Sequence, residues 1–183
     1  MFITLFPFLQ TFRPNTFQIS MMEALVKNQP VCLVTYCCPC CCAMYTRYRV
    51  LDSDMTRYRC CQGYLDGICC FSAGSLGEEH CPEFCLCLES LFCLGPSMSS
   101  SRMFIMDQYE LRPDPCDNRL VRCSNCLMLL SCVCDILAIF IRELRNAASL
   151  LQLLANCMFY STMGCMAGQV NREVDFHQQT IAK

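Results

Sequence analysis

Two long apolar runs separated by a charged turn occupy the C-terminal third of the chain. Residues 126–141 carry a single charge, Asp135, and residues 146–171 carry none. The turn between the two runs contains Arg142, Glu143 and Arg145. The second run is longer than the roughly 20 residues that a membrane-spanning helix requires. The pattern therefore predicts a hydrophobic helical hairpin over residues 126–171 that enters a membrane.

The second run is also compatible with a helix packed on protein. Its polar residues make it only mildly hydrophobic, and one helical stripe consists of Leu150, Leu151, Leu154, Met158 and Thr162. Such a stripe is typical of an amphipathic helix. Asp135 bears on the choice, because a carboxylate at membrane depth is costly unless it is paired, for example with an arginine, or hydrated. In a soluble helix, Asp135 is simply an exposed acid.

The overall composition favours a membrane or a partner surface over nucleic acid. Hydrophobic residues make up 54% of the 183 residues and charged residues only 16%, and the mean hydropathy is +0.31. These values lie at the apolar edge of the range for soluble domains. With a net charge of -2 and no basic stripe, we expect no nucleic-acid partner. His80 and His177 have no nucleophile at a recognisable spacing, and we expect no enzymatic activity.

Seven residues recur at a fixed offset of 55 positions. The first copy contains Cys32, Leu33, Cys38, Arg47, Asp52, Arg57 and Cys61, and the second contains Cys87, Leu88, Cys93, Arg102, Asp107, Arg112 and Cys116. Similarity at a fixed period indicates one structural unit used twice, although a cysteine-rich chain also matches itself by chance. A pseudo-twofold arrangement of two such units predicts ion pairs between Arg47 and Asp107 and between Arg102 and Asp52.

Cysteine is the most over-represented residue, with 21 copies. Because this number is odd, complete intramolecular pairing is impossible. Adjacent cysteines such as Cys60 and Cys61 also rarely meet the geometry of a disulfide bond. We therefore expect mostly reduced thiols.

A cysteine motif near the N-terminus follows the pattern C-L-x-x-x-x-C-P-C and consists of Cys32, Leu33, Cys38, Pro39 and Cys40. A second block contains Arg102, Tyr109-Glu110-Leu111, Pro115-Cys116-Asp117 and Arg122-Cys123-Ser124-Asn125-Cys126. With these motifs, residues 31–135 resemble the placenta-specific-eight cysteine-rich family, which includes plant proteins tied to fruit weight and cadmium resistance. The resemblance implies a small membrane-associated protein that affects cell number, cell size or heavy-metal tolerance. Residues 117–118 and 131–135 depart from the family pattern, and with these departures the chain resembles a divergent plant branch of the family.

Three interpretations of the cysteines are open. Thiolates are soft ligands, and the candidates for zinc or another soft metal ion are Cys38, Cys40, Cys123, Cys126, Cys132 and Cys134, with His80, Cys81 and Cys85 as a weaker set. A cysteine cluster beside an apolar segment is a substrate for lipidation, and the candidates there are Cys37, Cys41 and Cys42. In the third interpretation, the cysteines are small apolar residues that fill close helix packing.

The chain divides into four expected regions. They are a poorly ordered N-terminal extension over residues 1–30, the cysteine-rich module over 31–135, the overlapping hairpin over 126–171 and a fraying polar tail over 172–183. Within the module, helices are predicted over residues 43–58 and 102–111, with serines 99–101 as caps of the second. Scattered glycines predict a loop over residues 62–81.

Taken together, these features predict a mainly α, cysteine-rich, membrane-associated protein with a pseudo-repeat and a C-terminal helical hairpin. The expected partners are the membrane and either further copies of the chain, in a homo-oligomer, or other membrane proteins. The plasma membrane is the expected location, and growth regulation or the handling of heavy metals or other ions is the expected role. The alternative is a soluble cytosolic thiolate module that sequesters metal.

Overall fold

The fold is predominantly helical in a computed structural model that describes residues 14–66, 73–75 and 77–181. Its helices are α1 (Met21–Lys27), α2 (Gln29–Cys37), α3 (Pro39–Val50), α4 (Pro82–Phe92), α5 (Leu94–Gln108), α6 (Pro115–Phe140) and α7 (Arg145–Ile181). Short 3-10 turns occupy Met55–Arg57, Cys60–Gly63 and Arg142–Leu144. Two short strands, β1 (Asn15–Thr16) and β2 (Leu111–Arg112), pair in parallel. The predicted mainly α, cysteine-rich class is confirmed.

The central element of the helical body is α7. Every residue from 162 to 171 is buried, and α7 contacts α1, α2, α3, α5 and α6. A Cβ added at Gly164 would lie 3.4 Å from the Cys32 Cα of α2, and one added at Gly168 would lie 3.2 Å from the Ala24 Cβ of α1. The backbone of α7 therefore packs closely against α1 and α2. An added Cβ at Gly168 would require α1 to give way by a few tenths of an ångström, whereas one at Gly164 would be in van der Waals contact with α2.

A cysteine interrupts each of the two helix pairs α2–α3 and α4–α5. Cys38 separates α2 from α3 and Cys93 separates α4 from α5, and the two cysteines are 55 positions apart. Pro39 and Pro96 follow these breaks. Pro39 is the first residue of α3 and Pro96 lies in the first turn of α5. Proline is tolerated in a first turn but cannot continue a preceding helix, because it lacks an N–H and its ring clashes with the carbonyl four residues earlier. Cys38 and Cys93 of the sequence repeat thus lie at similar breaks, while the duplication itself stays a prediction.

The predicted helix boundaries inside the module are partly wrong. Helix α3 ends at Val50 rather than at residue 58, because Asp52 and Ser53 adopt φ angles of 53° and 64° that are incompatible with a right-handed helix. Helix α5 begins at Leu94, and the serines at 99–101 lie buried inside it instead of capping it. The described residues between Gly63 and Pro82 form turns and irregular structure, as predicted.

The N-terminal part of the chain is more ordered than the sequence indicated. Residues 1–13 of the predicted extension lie outside the described residues, but the prediction is wrong for residues 21–30. Met21 and Ala24 of α1 are completely buried. Ser20 accepts a hydrogen bond from the Glu23 N–H while the Glu23 side chain accepts one from the Ser20 N–H, and this capping box begins the helix.

The C-terminal segment also differs from the predicted fraying tail. Helix α7 continues to Ile181, and residues 182–183 lie outside the described part of the chain. Glu173 and Val174 are buried, and His177 stacks on Tyr109 with ring centroids 3.6 Å apart. These contacts keep the polar segment helical against the end of α5.

Candidate functional site

A buried ion pair connects α3 to α4. The Arg47 Nη2 lies 3.0 Å from the Glu89 Oε1, and the two side chains are 0% and 1% exposed. Arg47 also donates hydrogen bonds to the Ser97 carbonyl, at 2.9 Å, and to the Ser100 hydroxyl of α5. Because charges are costly to remove from water unless they are paired and hydrogen bonded, this arginine fixes three helices relative to one another.

The Glu89 carboxylate also holds the loop that carries two adjacent cysteines. Its Oε2 accepts hydrogen bonds from the Tyr58 hydroxyl and from the Cys61 backbone N–H, both at 2.8 Å. Cys61 adopts φ 46° and ψ 24°, a left-handed conformation that costs a non-glycine residue ~1–2 kcal/mol. The hydrogen bond to Glu89 compensates for part of this strain and fixes where the Cys61 side chain begins.

The side chains of Cys60, Cys61 and Glu89 converge. Their two sulfur atoms and one carboxylate oxygen all lie within 4.8 Å of one another. Cys60 is half-buried and Cys61 is buried. A hydrogen bond from the Cys61 thiol lowers the pKa of Cys60, and the same bond, burial and the Glu89 charge raise the pKa of Cys61.

One face of α4 presents further ionisable groups near this pair. Cys81, Cys85 and Glu89 follow one another at four-residue intervals, and side chains at this interval share a helix face. Desolvation raises the pKa of Cys85, and so do the charges of Glu78, Cys81 and Cys60. In the weaker predicted metal set, His80 and Cys81 are exposed and Cys85 is half-buried, and a shared ion there stays a prediction.

A second buried ion pair joins α5 to the start of α6. The Arg102 Nη2 lies 3.0 Å from the Asp117 Oδ2. Gln169 of α7 accepts a hydrogen bond from the Arg102 Nε at 3.0 Å and donates one to the Asp117 Oδ2 at 2.8 Å. Of the four arginines in the sequence repeat, Arg47 and Arg102 are thus buried and paired with a carboxylate.

The predicted cross pairs between the two repeat units are wrong. Asp52 and Asp107 lie on the exposed surface, where Asp107 accepts a hydrogen bond from the Tyr64 hydroxyl. The carboxylates that do pair with Arg47 and Arg102 lie at positions that the repeat does not match. The repeat therefore contains the two buried arginines but identifies neither their burial nor their partners.

Small residues line the seam of the hairpin formed by α6 and α7. Asp117 and Gln169, hydrogen bonded at its base, define the antiparallel register. Steps of seven residues from this pair lead to further buried positions, which are Ser124, Ser131 and Ala138 on α6 and Thr162, Ala155 and Ala148 on α7. A seven-residue step keeps a side chain on the face towards the partner helix. Small side chains at such positions allow two helix backbones to approach closely.

Large apolar side chains cover the outside of the same hairpin. The exposed ones are Met128, Leu129, Leu130, Val133, Ile136, Leu137, Ile139 and Phe140 on α6 and Leu150, Leu153 and Leu154 on α7. Only 11% of the most apolar window of α6 is buried within the protein, compared with 39% for α7. Both helices are long and apolar enough to cross a membrane by length and composition. A soluble helix pair has the opposite pattern, because it buries its large apolar residues in the seam.

Asp135 lies half-buried on α6, within this apolar surface. The ion pairs within residues 14–66, 73–75 and 77–181 do not include its carboxylate. The pairing with an arginine that membrane insertion predicts is therefore not seen within the described chain.

The first two residues of the predicted family motif have different environments on α2. Cys32 is buried, and its thiol donates to the carbonyls of Ala24 and Gly164 at 3.7 and 3.6 Å. Leu33 is 66% exposed. Cys32 therefore acts as a small packing residue where α1, α2 and α7 meet.

The remainder of the motif lies at the start of α3. Cys38 precedes the helix, Pro39 is its first residue and Cys40 is half-buried. Cys38 forms a disulfide bond with Cys41, so its sulfur is not a free metal ligand in this state. Sixteen other cysteines of the described residues are free, and the expected, mostly reduced state of the whole set stays a prediction.

The predicted metal ligands of the C-terminal third are spread along one continuous helix. On α6, Cys123, Cys126 and Cys132 are exposed and Cys134 is half-buried. Cys132 and Cys134 lie about 200° apart around the helix axis, because each residue of an α-helix turns by about 100°. A shared ion at these positions stays a prediction that requires α6 to unwind.

The converging group at Cys60, Cys61 and Glu89 was missed by the sequence analysis. Two signals were present: the adjacency of the two cysteines and the four-residue spacing of Cys81, Cys85 and Glu89. Neither shows that the loop and α4 meet, because 28 positions separate Cys61 from Glu89.

The predicted lipidation sites differ in accessibility. Cys37 is exposed and free. Cys41 is bonded to Cys38, and Cys42 is only 2% exposed, next to the Thr35 hydroxyl. Acylation of Cys42 is incompatible with its burial, and lipidation stays a prediction for Cys37.

Comparisons with protein families, with curated proteins and with solved structures find no match. The resemblance of residues 31–135 to the placenta-specific-eight family consequently stays a prediction.

Proposed function

We propose that this chain is a non-enzymatic membrane protein whose α6–α7 hairpin inserts into the lipid bilayer and anchors the helical body. The observation that carries the proposal is the inverted packing of the hairpin, with small residues in its seam and large apolar residues outside. Transfer of one Leu, Ile or Phe side chain from water to an apolar environment is favourable by about 1.5–3 kcal/mol of free energy. The exposed side chains of α6 and α7 together therefore provide a large driving force for insertion.

The length of the hairpin matches the thickness of a bilayer. The apolar part of α6, residues 124–140, spans ~26 Å at ~1.5 Å per residue, and residues 146–161 of α7 span ~24 Å. The hydrocarbon core of a membrane is about 30 Å thick. Charged residues flank both legs, with Arg142, Glu143 and Arg145 at the tip and Arg119 and Arg122 towards the body. Such residues are favourable in the headgroup regions.

Assembly with further copies of the chain is part of the proposal, because the half-buried Asp135 needs a polar partner at membrane depth. The plasma-membrane location and the role in growth regulation or the handling of heavy metals or other ions rest on the family resemblance alone. The soluble metal-sequestering module is the weaker alternative. It leaves the outer surface of α6 in water, and the cysteines of α6 do not converge.

The direct test is alkaline carbonate extraction of membranes from cells that express the full-length chain. We expect the chain to remain in the membrane pellet. The double variant Val133→Arg/Ile136→Arg places two charges on the exposed side of α6. Each arginine raises the free energy of insertion by ~2.5–3.5 kcal/mol near the membrane centre, so we expect this variant in the supernatant. Met22→Arg/Val26→Arg adds the same charges to exposed positions of α1 and should stay in the pellet.

Recovery of the unmodified chain in the supernatant would contradict insertion. Sedimentation of that soluble fraction would then show whether a second copy covers the apolar surface. Equal extraction of the two double variants would also contradict the assignment of the anchor to α6.

A further inference from the structure

The thiol cluster at Cys60, Cys61 and Glu89 has no part in membrane insertion, yet its geometry is that of a binding site. A tetrahedral soft metal ion bound at ~2.3 Å to sulfur and ~2.1 Å to oxygen sets its ligand atoms about 3.5–3.8 Å apart. The three ligand atoms already lie within 4.8 Å of one another. Small side-chain rotations therefore suffice to close the site around one ion.

The carboxylate of Glu89 retains the capacity for this contact. A carboxylate oxygen has two lone pairs. The Oε2 uses both, for the Tyr58 hydroxyl and the Cys61 N–H, whereas the Oε1 accepts only from Arg47 among the described residues. One lone pair of the Oε1 is left for a metal ion, while the other contacts keep the carboxylate in place.

A divalent ion neutralises the two thiolates that it would bind, beside which the buried Glu78 accepts a hydrogen bond from the Cys60 N–H. Arg47 and Glu89 neutralise each other within a fully buried pair. Two thiolates at Cys60 and Cys61 add two negative charges that this interior does not compensate. A divalent cation neutralises both, and its binding releases the thiol protons to solvent.

We propose that Cys60, Cys61 and Glu89 bind one soft divalent metal ion, of the class of Zn²⁺ or Cd²⁺, with the fourth position open. Two sulfur ligands favour soft ions over Mg²⁺ or Ca²⁺, which prefer oxygen. Cys60 is half-buried, which gives the ion a route from solvent. The site does not depend on the membrane anchor, so either proposal can fail without the other.

The test uses the full-length chain in detergent, freed of metal by a chelator and without reductant, so that the Cys38–Cys41 disulfide is kept. One equivalent of Cd²⁺ is added, and a short pulse of N-ethylmaleimide is followed by peptide mass spectrometry. We expect alkylation of Cys60 to slow at least ~10-fold, whereas the exposed thiol of Cys116, outside the apolar legs of the hairpin, reacts as before. Unchanged alkylation of Cys60 overturns the proposal.

A matched pair of variants tests affinity. We expect Cys60→Ser/Cys61→Ser to weaken the tightest Cd²⁺ equivalent at least ~100-fold in a chelator competition, because even supporting residues of metal sites contribute 10–100-fold. Cys37→Ser/Cys116→Ser removes two exposed thiols and should retain wild-type affinity. Equal affinity of the two variants contradicts the site. Circular dichroism verifies that each variant is folded. If Cys60→Ser/Cys61→Ser unfolds, the alkylation measurement on the unmodified chain decides whether the site binds Cd²⁺.

Discussion

The substitution Arg47→Met tests whether the buried ion pair of Arg47 and Glu89 holds α3, α4 and α5 together. It preserves the length and apolar stem of the side chain but removes the partner of Glu89, whose side chain is 1% exposed. The Glu89 carboxylate then stays buried with only the Tyr58 hydroxyl and the Cys61 N–H as donors. The Ser97 carbonyl of α5 also loses its bond to the guanidinium.

The magnitude follows from the burial of the pair. Removing one member of a buried ion pair destabilises a protein by about 3–5 kcal/mol. In a chain of this length, each kcal/mol lowers the melting temperature by about 2–4 °C, so the expected loss is about 6–20 °C. The exposed pair of Lys27 and Glu23, with side chains 57% and 51% exposed, is worth only about 0.3–0.5 kcal/mol. The control Lys27→Met should therefore melt within about 2 °C of the unmodified chain.

Thermal unfolding in detergent, followed by far-ultraviolet circular dichroism, measures both variants under identical conditions. The expected result is a large loss for Arg47→Met and almost none for Lys27→Met. If the two variants melt at the same temperature, the reasoning that α3, α4 and α5 are held together at Glu89 is refuted.

Three further substitutions probe other contacts by the same melting assay. Ala155→Leu overfills the completely buried hairpin seam and should cost about 1–3 kcal/mol; unchanged melting would contradict the register. Gly168→Val should lower the melting temperature by separating α7 from Ala24, whose Cβ lies 3.2 Å from a Cβ added at Gly168. The control Gly95→Ala should be tolerated. Equal melting temperatures of these two variants would refute the close approach of α7 to α1. Tyr58→Phe removes a hydrogen bond to a carboxylate and should cost about 1.5–3 kcal/mol near neutral pH. The pKa of Tyr58 lies above 10.0 because of burial, the Glu89 charge and that hydrogen bond. The stabilisation that the Tyr58 hydroxyl provides is therefore full below pH 10.0 and falls as the pH rises further. A difference in stability between Tyr58→Phe and the unmodified chain that does not change with pH would contradict this.

The long apolar runs made the helical class and the C-terminal hairpin predictable from the sequence. An uncharged run of 26 residues admits few alternatives to a helix, and the charged turn at 142–145 separates the two legs. The packing inside the hairpin was not predictable from hydrophobicity alone. Ser124 and Ser131 look like polar interruptions of an apolar helix, but they lie in the seam because their small size permits close packing.

The thiol site could not be predicted, because it depends on tertiary structure. Cys61 meets Glu89 through a left-handed backbone conformation, and a sequence pattern contains no signal for such a conformation at cysteine. Similarly, the repeat contains Arg47 and Arg102 but identifies neither their burial nor their carboxylate partners. Periodicity describes which face a residue occupies, whereas partners 42 positions apart, like Arg47 and Glu89, are set by how whole helices pack.

The most direct test of membrane insertion uses the absence of tryptophan from the chain. A single tryptophan introduced by Ile136→Trp, on the exposed side of α6, reports the local environment in lipid vesicles. We predict blue-shifted emission that is strongly quenched by lipids brominated in their acyl chains, and no such quenching for the control Val26→Trp on α1. Emission from Ile136→Trp that is as red-shifted and as unquenched as that of the control would contradict insertion of the hairpin.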